Sequence, residues 1–155
     1  RSVIKDDNEK GVALAVEQQF ETAKIIIQKN LVPIIEPEVD IHCEKKSEAE
    51  QMLFENLKNQ IEQLTSEQKI LLKLTIPDEA NLYAPFVNHP NVIRVFALSG
   101  GYSRDDSNRL LSLNNGMLAS FSRALTEGLS VQQSDDEFNS KLDASIESIF
   151  QASIS

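Results

Sequence analysis

The 155-residue chain is long enough for one domain with a hydrophobic core, and its 41% hydrophobic and 25% charged residues are typical of globular proteins. A net charge of −9, with no local basic cluster to offset it, argues against binding to a nucleic-acid backbone. The single cysteine excludes an internal disulfide, no apolar run approaches the roughly 20 residues of a membrane span, and no signal peptide opens the chain, so we expect a cytoplasmic protein without membrane partners.

Short apolar segments alternate with helical patterns along the chain. The opening RSVIK is expected to be the end of a strand, and a helix then follows from apolar residues spaced by three and four: Val12, Val16, Phe20, Ala23 and Ile27. Residues 31–39 (LVPIIEPEV) predict the next strand. Apolar residues at the same spacing predict a second helix: Leu53, Leu57, Ile61 and Leu64.

Three further apolar segments predict strands at residues 70–76, 92–100 and 117–122, and a short helical pattern closes at Val87. The last helix is predicted from Phe138, Leu142, Ile146 and Ile149. Capping boxes predict three helix starts: Ser47 with Glu50, Ser103 with Asp106, and Ser134 with Glu137.

Alternating strands and helices imply a parallel sheet covered by helices, which can be an open doubly wound sheet or a barrel. On pattern alone we favour an α/β fold that is the C-terminal half of a (β/α)8 TIM barrel, from the end of strand four through strand eight and the final helix. Residues 1–155 then form one partial domain without an internal boundary. We expect Val32, Ile34, Ile93 and Val95 to face the barrel interior.

Polar residues follow each predicted strand at its C-terminal end, the face where α/β barrels carry their chemistry. They are Glu36 and Glu38 on the first strand, Lys73 on the second, Ser99 and Gly100 on the third, and Ser122 and Arg123 on the fourth. The repetition of this pattern on four strands indicates a functional site.

Lys73 interrupts the apolar run ILLKLTI, and alternation places it beside Glu36 if Ile34 and Leu71 both face inward. Lys73 could be a snorkelling side chain or half of a structural ion pair, and the two glutamates could cap the next helix. Alternatively, apolar surroundings disfavour the charged amine. A free amine attacks ketones and aldehydes, and a neighbouring carboxyl group can move the protons that imine chemistry requires.

The segments SGG and SFSR predict an anion site. Backbone N–H groups of a glycine loop, the start of a short helix at Ser122 and the guanidinium of Arg123 could together bind phosphate, although paired glycines are more often a plain turn. His42 and Cys43 are adjacent and His89 lies in a predicted turn, so no metal-ligand spacing is visible and no cofactor is predicted.

Four motifs carry a family resemblance. In chain order, VPIIEPEV, LLKLTIP, LSGGYSR and SFSRAL resemble class I fructose-1,6-bisphosphate aldolase in its bacterial branch. The resemblance implies a lyase of glycolysis that reversibly cleaves fructose 1,6-bisphosphate to dihydroxyacetone phosphate and glyceraldehyde 3-phosphate. It also implies a β/α barrel of which this chain supplies strands five to eight.

Roles for individual residues are implied by the same resemblance. Lys73 is the Schiff-base lysine, Glu36 the general acid/base and Glu38 a carboxylate that orients the site. Ser99, Gly100, Ser122 and Arg123 match the C1-phosphate pocket, and Arg1 matches an arginine near the second phosphate. The ending FQASIS lacks the functional tyrosine of animal members, so no donor of a proton to the enamine is identified.

A second interpretation is an inactive half-barrel that binds anions or a partner. The resemblance implies that an aspartate on strand one and lysines on strands three and four lie outside this sequence. We therefore expect its partner to be the missing N-terminal barrel half or a second copy of the chain, and its substrate, once the barrel is complete, to be a phosphorylated ketose.

Overall fold

The computed structural model describes residues 1–154 and alternates strands with helices. The strands are β1 (Ser2–Ile4), β2 (Ile34–Ile35), β3 (Pro37–Val39), β4 (Ile70–Thr75), β5 (Val92–Leu98) and β6 (Leu118–Ala119). The helices are α1 (Glu9–Ile27), α2 (Lys46–Ile61), α3 (Ala84–Val87), α4 (Arg104–Leu111), α5 (Arg123–Thr126) and α6 (Asp135–Ser153).

Every strand pair is parallel, and the strands follow one another in chain order. β2, β4, β5 and β6 form one sheet in that order, and β1 pairs with β3. Since β2 and β3 are separated only by Glu36, the predicted strand over residues 31–39 pairs with β4 through its first part and with β1 through its second part. An open doubly wound sheet reverses its strand order at a switch point. Uninterrupted chain order instead fits one side of a barrel.

The core lies between the outer face of the sheet and the helices. Ile70, Leu72 and Leu74 on β4 are fully buried. Against the sheet pack the buried stripes of α1 and α2, which are Val12, Val16, Phe20 and Ala23 on α1 and Leu53, Leu57 and Ile61 on α2. The predicted apolar spacing of these two helices therefore marks their buried faces. Among residues 1–154, none of the helices combines the length and apolarity needed to cross a membrane.

The predicted start of α2 is wrong. The helix begins at Lys46, one residue before Ser47, and its N-cap residue Lys45 makes no side-chain cap. The Glu50 carboxylate cannot complete a capping box, because it accepts hydrogen bonds from Lys46 and from the backbone of Asp78. The other two predicted helix starts are correct, but their side-chain hydrogen bonds differ from each other.

Ser134 and Glu137 form the reciprocal capping box at α6. At α4 the Ser103 hydroxyl accepts from the Asp106 backbone N–H and also donates to the Asp106 carboxylate. The predicted reciprocal bond to the Ser103 backbone is replaced there by this side-chain contact.

The predicted inner face of β5 needs a correction. Ile70 pairs with Val92 and Leu71 pairs with Arg94, so a β-bulge leaves Ile93 as an extra residue. After the bulge Val95 pairs with the buried Leu72 and is itself only 1% exposed, so it belongs to the helix-covered face and not to the barrel interior. The other three predicted interior residues, Val32, Ile34 and Ile93, are exposed.

The apolar stripe predicted for the last helix is only partly buried. Ser145 and Ala152 are the buried residues of α6, while Leu142 and Ile149 are half-buried. Phe138 and Ile146 are exposed, because α6 packs on α4, α5 and β6 through the neighbouring face. Small side chains at the contact let the helix approach closely, which periodicity of large apolar residues does not reveal.

A buried hydroxyl in the core gives a stability prediction. Tyr83 is fully buried, and its hydroxyl has no hydrogen-bond partner among the described residues. Burial raises the pKa of this phenol well above its ordinary value, and the charges of Glu50 and Asp78 raise it further. Since an unpaired buried hydroxyl costs about 1–3 kcal/mol, Tyr83→Phe is expected to leave the free energy of unfolding unchanged or raise it by about 1 kcal/mol. Urea denaturation of the protein with its barrel complete measures this, and a clear loss of stability would mean that the hydroxyl is bonded.

Candidate active site

A cleft of about 340 Å³ opens at the C-terminal ends of the strands. Its lining includes every site residue that the sequence predicted: Arg1, Glu36, Glu38, Lys73, Ser99, Gly100, Ser122 and Arg123. Arg1 lies just before β1 and Glu36 lies between β2 and β3, whereas Glu38 and Lys73 belong to β3 and β4. The others come from the loops after β5 and β6 and from the start of α5. The fold therefore brings side chains that are far apart in sequence into one concave surface.

Lys73 and Glu36 face each other in this cleft. On β4 the residues on either side of Lys73 point into the core, so alternation directs the lysine to the opposite face. Ile34 pairs with Leu71, which sets Glu36 and Lys73 level on neighbouring strands. Their side chains meet with Nζ 3.1 Å from Oε1, and the two side chains are 27% and 21% exposed. An amine and a carboxylate at this distance can exchange a proton while both stay accessible to a small molecule.

The backbone of Glu36 is held where the strand breaks. Its N–H donates to Oε1 of Gln19 at 2.7 Å, and Nε2 of Gln19 donates to the Ser2 hydroxyl at 3.2 Å. Its carbonyl accepts from the backbone N–H of Ser2 at 3.1 Å. Sequence reasoning missed Gln19, because no local pattern marks a helix residue that bonds to a strand 17 positions away.

Glu38 forms the second carboxylate of the cleft and is paired with a cation. The guanidinium of Arg1 donates through Nε to Oε2 of Glu38 at 2.8 Å. Glu38 is only 8% exposed, whereas the Arg1 side chain is 59% exposed. The arginine therefore keeps other N–H groups available toward the cleft while it neutralises the buried carboxylate.

The loop after β5 depends on glycine at two positions. Gly100 and Gly101 have φ values of +63° and +125°, a region that side chains with a Cβ atom rarely adopt. A Cβ atom on Gly100 would also lie 2.7 Å from Cγ2 of Ile41. The turn is closed by the Tyr102 N–H, which donates to the Ser99 carbonyl at 2.9 Å. Both glycines are thus required by backbone geometry, and the loop brings Ser99 and Gly100 to the cleft.

The cleft has a local charge that opposes the charge of the whole chain. Its lining contains three cations, Arg1, Lys73 and Arg123, against the two carboxylates. Ser122 is the N-cap residue of the short helix α5, and both Ser122 and Arg123 are exposed at the rim. A chain with a net charge of −9 therefore gathers cations at one place, as recognition of an anion requires.

Two lining residues were missed by sequence reasoning. Leu98 closes one wall at the end of β5, and Ser120 follows β6 with its N–H bonded to the Ala97 carbonyl at 2.8 Å. Ser120 lies two residues before Ser122, so strand alternation could have indicated it. In residues 1–154, no group of three or more His, Cys, Asp and Glu side chains is placed to hold a metal ion.

The fold and the cleft together define a class of protein. Parallel strands in chain order, covered by helices and with a polar cleft at their C-terminal ends, are one side of a β/α barrel of the kind that houses enzymes. A solved structure of fructose-bisphosphate aldolase from Plasmodium falciparum has the same fold, with a TM-score of 0.58 and 19% sequence identity. The match covers 94% of this chain and 50% of that one.

Comparison by sequence gives more specific information than comparison by fold. The chain is 56% identical over 154 residues to class 1 fructose-bisphosphate aldolases of Porphyromonas gingivalis and of Synechocystis, and 49% identical to that of Clostridium acetobutylicum. Each match covers 99% of this chain and 51–52% of the relative. No family model matches the sequence. The chain belongs to the class 1 fructose-bisphosphate aldolase family, and it spans about half the length of the curated relatives that it matches.

Proposed function

We propose that this chain forms the half of an aldolase active site that carries the Schiff-base lysine, and that the protein with a complete barrel cleaves fructose 1,6-bisphosphate. The observation that carries the proposal is the 3.1 Å contact of Lys73 with Glu36 inside a cationic cleft. The family of the relatives supports the reaction class. We also propose that the protein acts in glycolysis and in the cytoplasm.

Lys73 provides the nucleophile. Its neutral amine attacks the C2 carbonyl of the ketose and forms a carbinolamine. Glu36, as a carboxylic acid, gives a proton to the carbinolamine hydroxyl, water leaves, and a protonated imine remains. The contact between the two side chains supports this role, because the hydroxyl forms on the substrate carbon that becomes bonded to Nζ.

Carbon–carbon cleavage follows from the charge of this iminium. Glu36, now a carboxylate, takes the proton of the C4 hydroxyl, and the C3–C4 bonding electrons move toward the iminium nitrogen to give an enamine. Glyceraldehyde 3-phosphate leaves. Protonation of the enamine at C3 and hydrolysis of the imine release dihydroxyacetone phosphate and return the free lysine. Glu38, held by Arg1, is proposed to orient the site.

The phosphate groups are assigned to the rim of the cleft. Backbone N–H groups at Ser99, Gly100 and Ser122, together with the guanidinium of Arg123, are proposed to bind the C1 phosphate. Arg1 is proposed to lie near the second phosphate. Three positive side chains around the cleft support an anionic substrate over a neutral sugar.

A complete barrel is part of the proposal. The partner is the half-barrel that supplies the remaining strands, or a second copy of this chain that covers the same surface. Exposed apolar side chains support a covering partner, because Ile34 and Ile93 are 53% and 40% exposed.

Turnover by the complete protein tests the function. Cleavage of fructose 1,6-bisphosphate should yield equal amounts of the two triose phosphates, and EDTA should not inhibit, because the proposed chemistry uses an iminium as its electron sink. The competing candidate is an inactive half-barrel that binds anions or a partner. It predicts binding of the bisphosphate without any triose phosphate, even when the barrel is complete.

Arg123 gives a quantitative prediction for the phosphate site. A charge-assisted bond to phosphate is worth roughly 1.5–3 kcal/mol, so Arg123→Ala should raise the apparent KM about ten- to a hundred-fold. The fold should be little affected, since Arg123 is exposed. Arg109→Ala is the matched control, because Arg109 is also exposed and lies outside the cleft. An unchanged KM in Arg123→Ala would place the phosphate elsewhere.

A further inference from the structure

Arg104 connects the two segments that are proposed to bind phosphate, and the mechanism above does not use it. It is the first residue of α4, shortly after the turn that carries Ser99 and Gly100. Its guanidinium reaches the end of α5, where Nε donates to the Ala124 carbonyl at 3.1 Å and Nη2 donates to the Glu127 carbonyl at 2.5 Å. One side chain therefore bridges two β/α units of the barrel.

Glu127 completes this connection from the other side. Its carboxylate accepts through Oε2 from the backbone N–H of Arg104 at 2.8 Å. The first N–H groups and the last carbonyl groups of a helix have no partner within that helix. Arg104 begins α4 and Glu127 is the C-cap residue of α5, so each side chain bonds to backbone groups that the other helix leaves free.

The short helix α5 depends on such contacts for its position. It has four residues, about one helical turn, and a single turn is not stable on its own. Its N-cap residue Ser122 makes no side-chain cap. α6 packs against α5, and Arg104 bonds to its carbonyl groups. The placement of Ser122 and Arg123 relative to the loop after β5 therefore depends on Arg104.

We propose that Arg104, together with Glu127, is a positioning residue that holds α5 at a fixed place relative to the loop after β5. Residues 99–100 and 122–123 then form a single phosphate site. This inference rests on the proposed function. A phosphate group is small, so donors from two separate segments bind it together only when their separation is fixed. Arg104 itself lies outside the lining of the cleft, so it acts on the substrate through the residues that it holds.

The test compares Arg104→Met, Arg104→Lys and Arg109→Met in the protein with its barrel complete. Fructose 1-phosphate is the substrate, because it carries only the phosphate that is assigned to this site. Because Arg104 acts through other residues, Arg104→Met should raise the KM roughly three- to thirty-fold and change kcat much less. A purely structural loss would instead lower the amount of active enzyme, and hence the apparent kcat, without a change in KM.

Two controls separate position from charge. Arg104→Lys keeps the positive charge but has no guanidinium fork for two carbonyls, so it should recover only part of the affinity. Arg109→Met removes a positive charge from the exposed side of the same helix and should leave KM unchanged.

A double variant tests whether Arg104 acts through α5. If it does, the effects of Arg104→Met and Arg123→Ala on KM are not additive, because the second change removes the group that the first one displaces. The double variant should then have a KM close to that of Arg123→Ala alone. Fully additive effects would overturn the proposal.

An unchanged KM in folded Arg104→Met also overturns the proposal. If Arg104→Met does not fold, Glu127→Ala and Glu127→Gln decide, since both remove a charge from an exposed side chain but only alanine removes the acceptor for the Arg104 N–H. Glu127→Ala should have the higher KM, and equal values contradict the positioning role.

A parent protein without turnover would contradict the proposed function instead. Calorimetry with inorganic phosphate then compares the parent with Arg104→Met. Weaker binding by the variant supports the positioning role of Arg104. Equal binding by both proteins, or no binding by either, overturns it.

Discussion

Lys73→Met in the complete protein is expected to lower the rate of aldol cleavage by a factor on the order of 10⁴ or more, because loss of a covalent nucleophile removes the whole reaction path. Methionine keeps the unbranched shape of lysine but has no amine. The fold should tolerate the change, since the Lys73 side chain is partly exposed and its ion pair with Glu36 lies at the open cleft. Steady-state kinetics and a thermal melt of the same sample measure the two effects separately.

Lys69→Met is the control for that variant. Lys69 directly precedes the same strand, but its ammonium bonds to the Pro90 carbonyl outside the cleft. It should keep full activity. If Lys73→Met retained substantial turnover while remaining folded, the lysine would be a structural ion-pair partner of Glu36, and the nucleophile would have to be another residue.

Residues 1–155 expressed alone are expected to show no turnover and to associate in solution. A closed barrel has no sheet edges, whereas this chain presents edges at β1 and β6. Large apolar side chains are also exposed, including Val3 at 43%, Ile34 at 53% and Phe150 at 53%. Exposed apolar surface favours association. Light scattering after size exclusion and an assay of fructose 1,6-bisphosphate cleavage measure both properties.

Restoring the remaining strands provides the control for the isolated chain. Co-expression with the half-barrel that completes the fold should give a defined complex and recover cleavage. A compact monomer of residues 1–155 with near-enzymatic turnover would contradict the half-barrel interpretation, because it would mean that these residues contain a whole active site.

Local patterns were sufficient for the parts of the fold that obey a simple period. The buried stripes of α1 and α2 and the inward direction of Lys73 follow from alternation and helical spacing. The meeting of Glu36 and Lys73 was predictable for the same reason, since parallel strands end at the same edge. Barrel geometry also made it predictable that Ser99, Gly100, Ser122 and Arg123 lie together in the cleft.

Features that depend on contacts distant in sequence were not predictable. The bulge at Ile93 reversed the assignment of Val95, and nothing in the local pattern marks an extra residue. Glu50 fits a capping box in sequence but is engaged by Lys46 and Asp78, which approach only in the fold. Gln19 bonds to Glu36 across 17 positions. Glu50 shows the reason most clearly, because its tertiary contacts outweigh a local capping preference.

Borohydride trapping tests the central claim most directly. The complete protein is incubated with fructose 1,6-bisphosphate or dihydroxyacetone phosphate and treated with borohydride, which reduces the imine to a stable amine. Mass spectrometry of the digested protein then locates the adduct. We predict one reduced triose phosphate or hexose bisphosphate adduct on Lys73, with the other lysines unmodified. An adduct on a different lysine, with Lys73 free, would contradict the account.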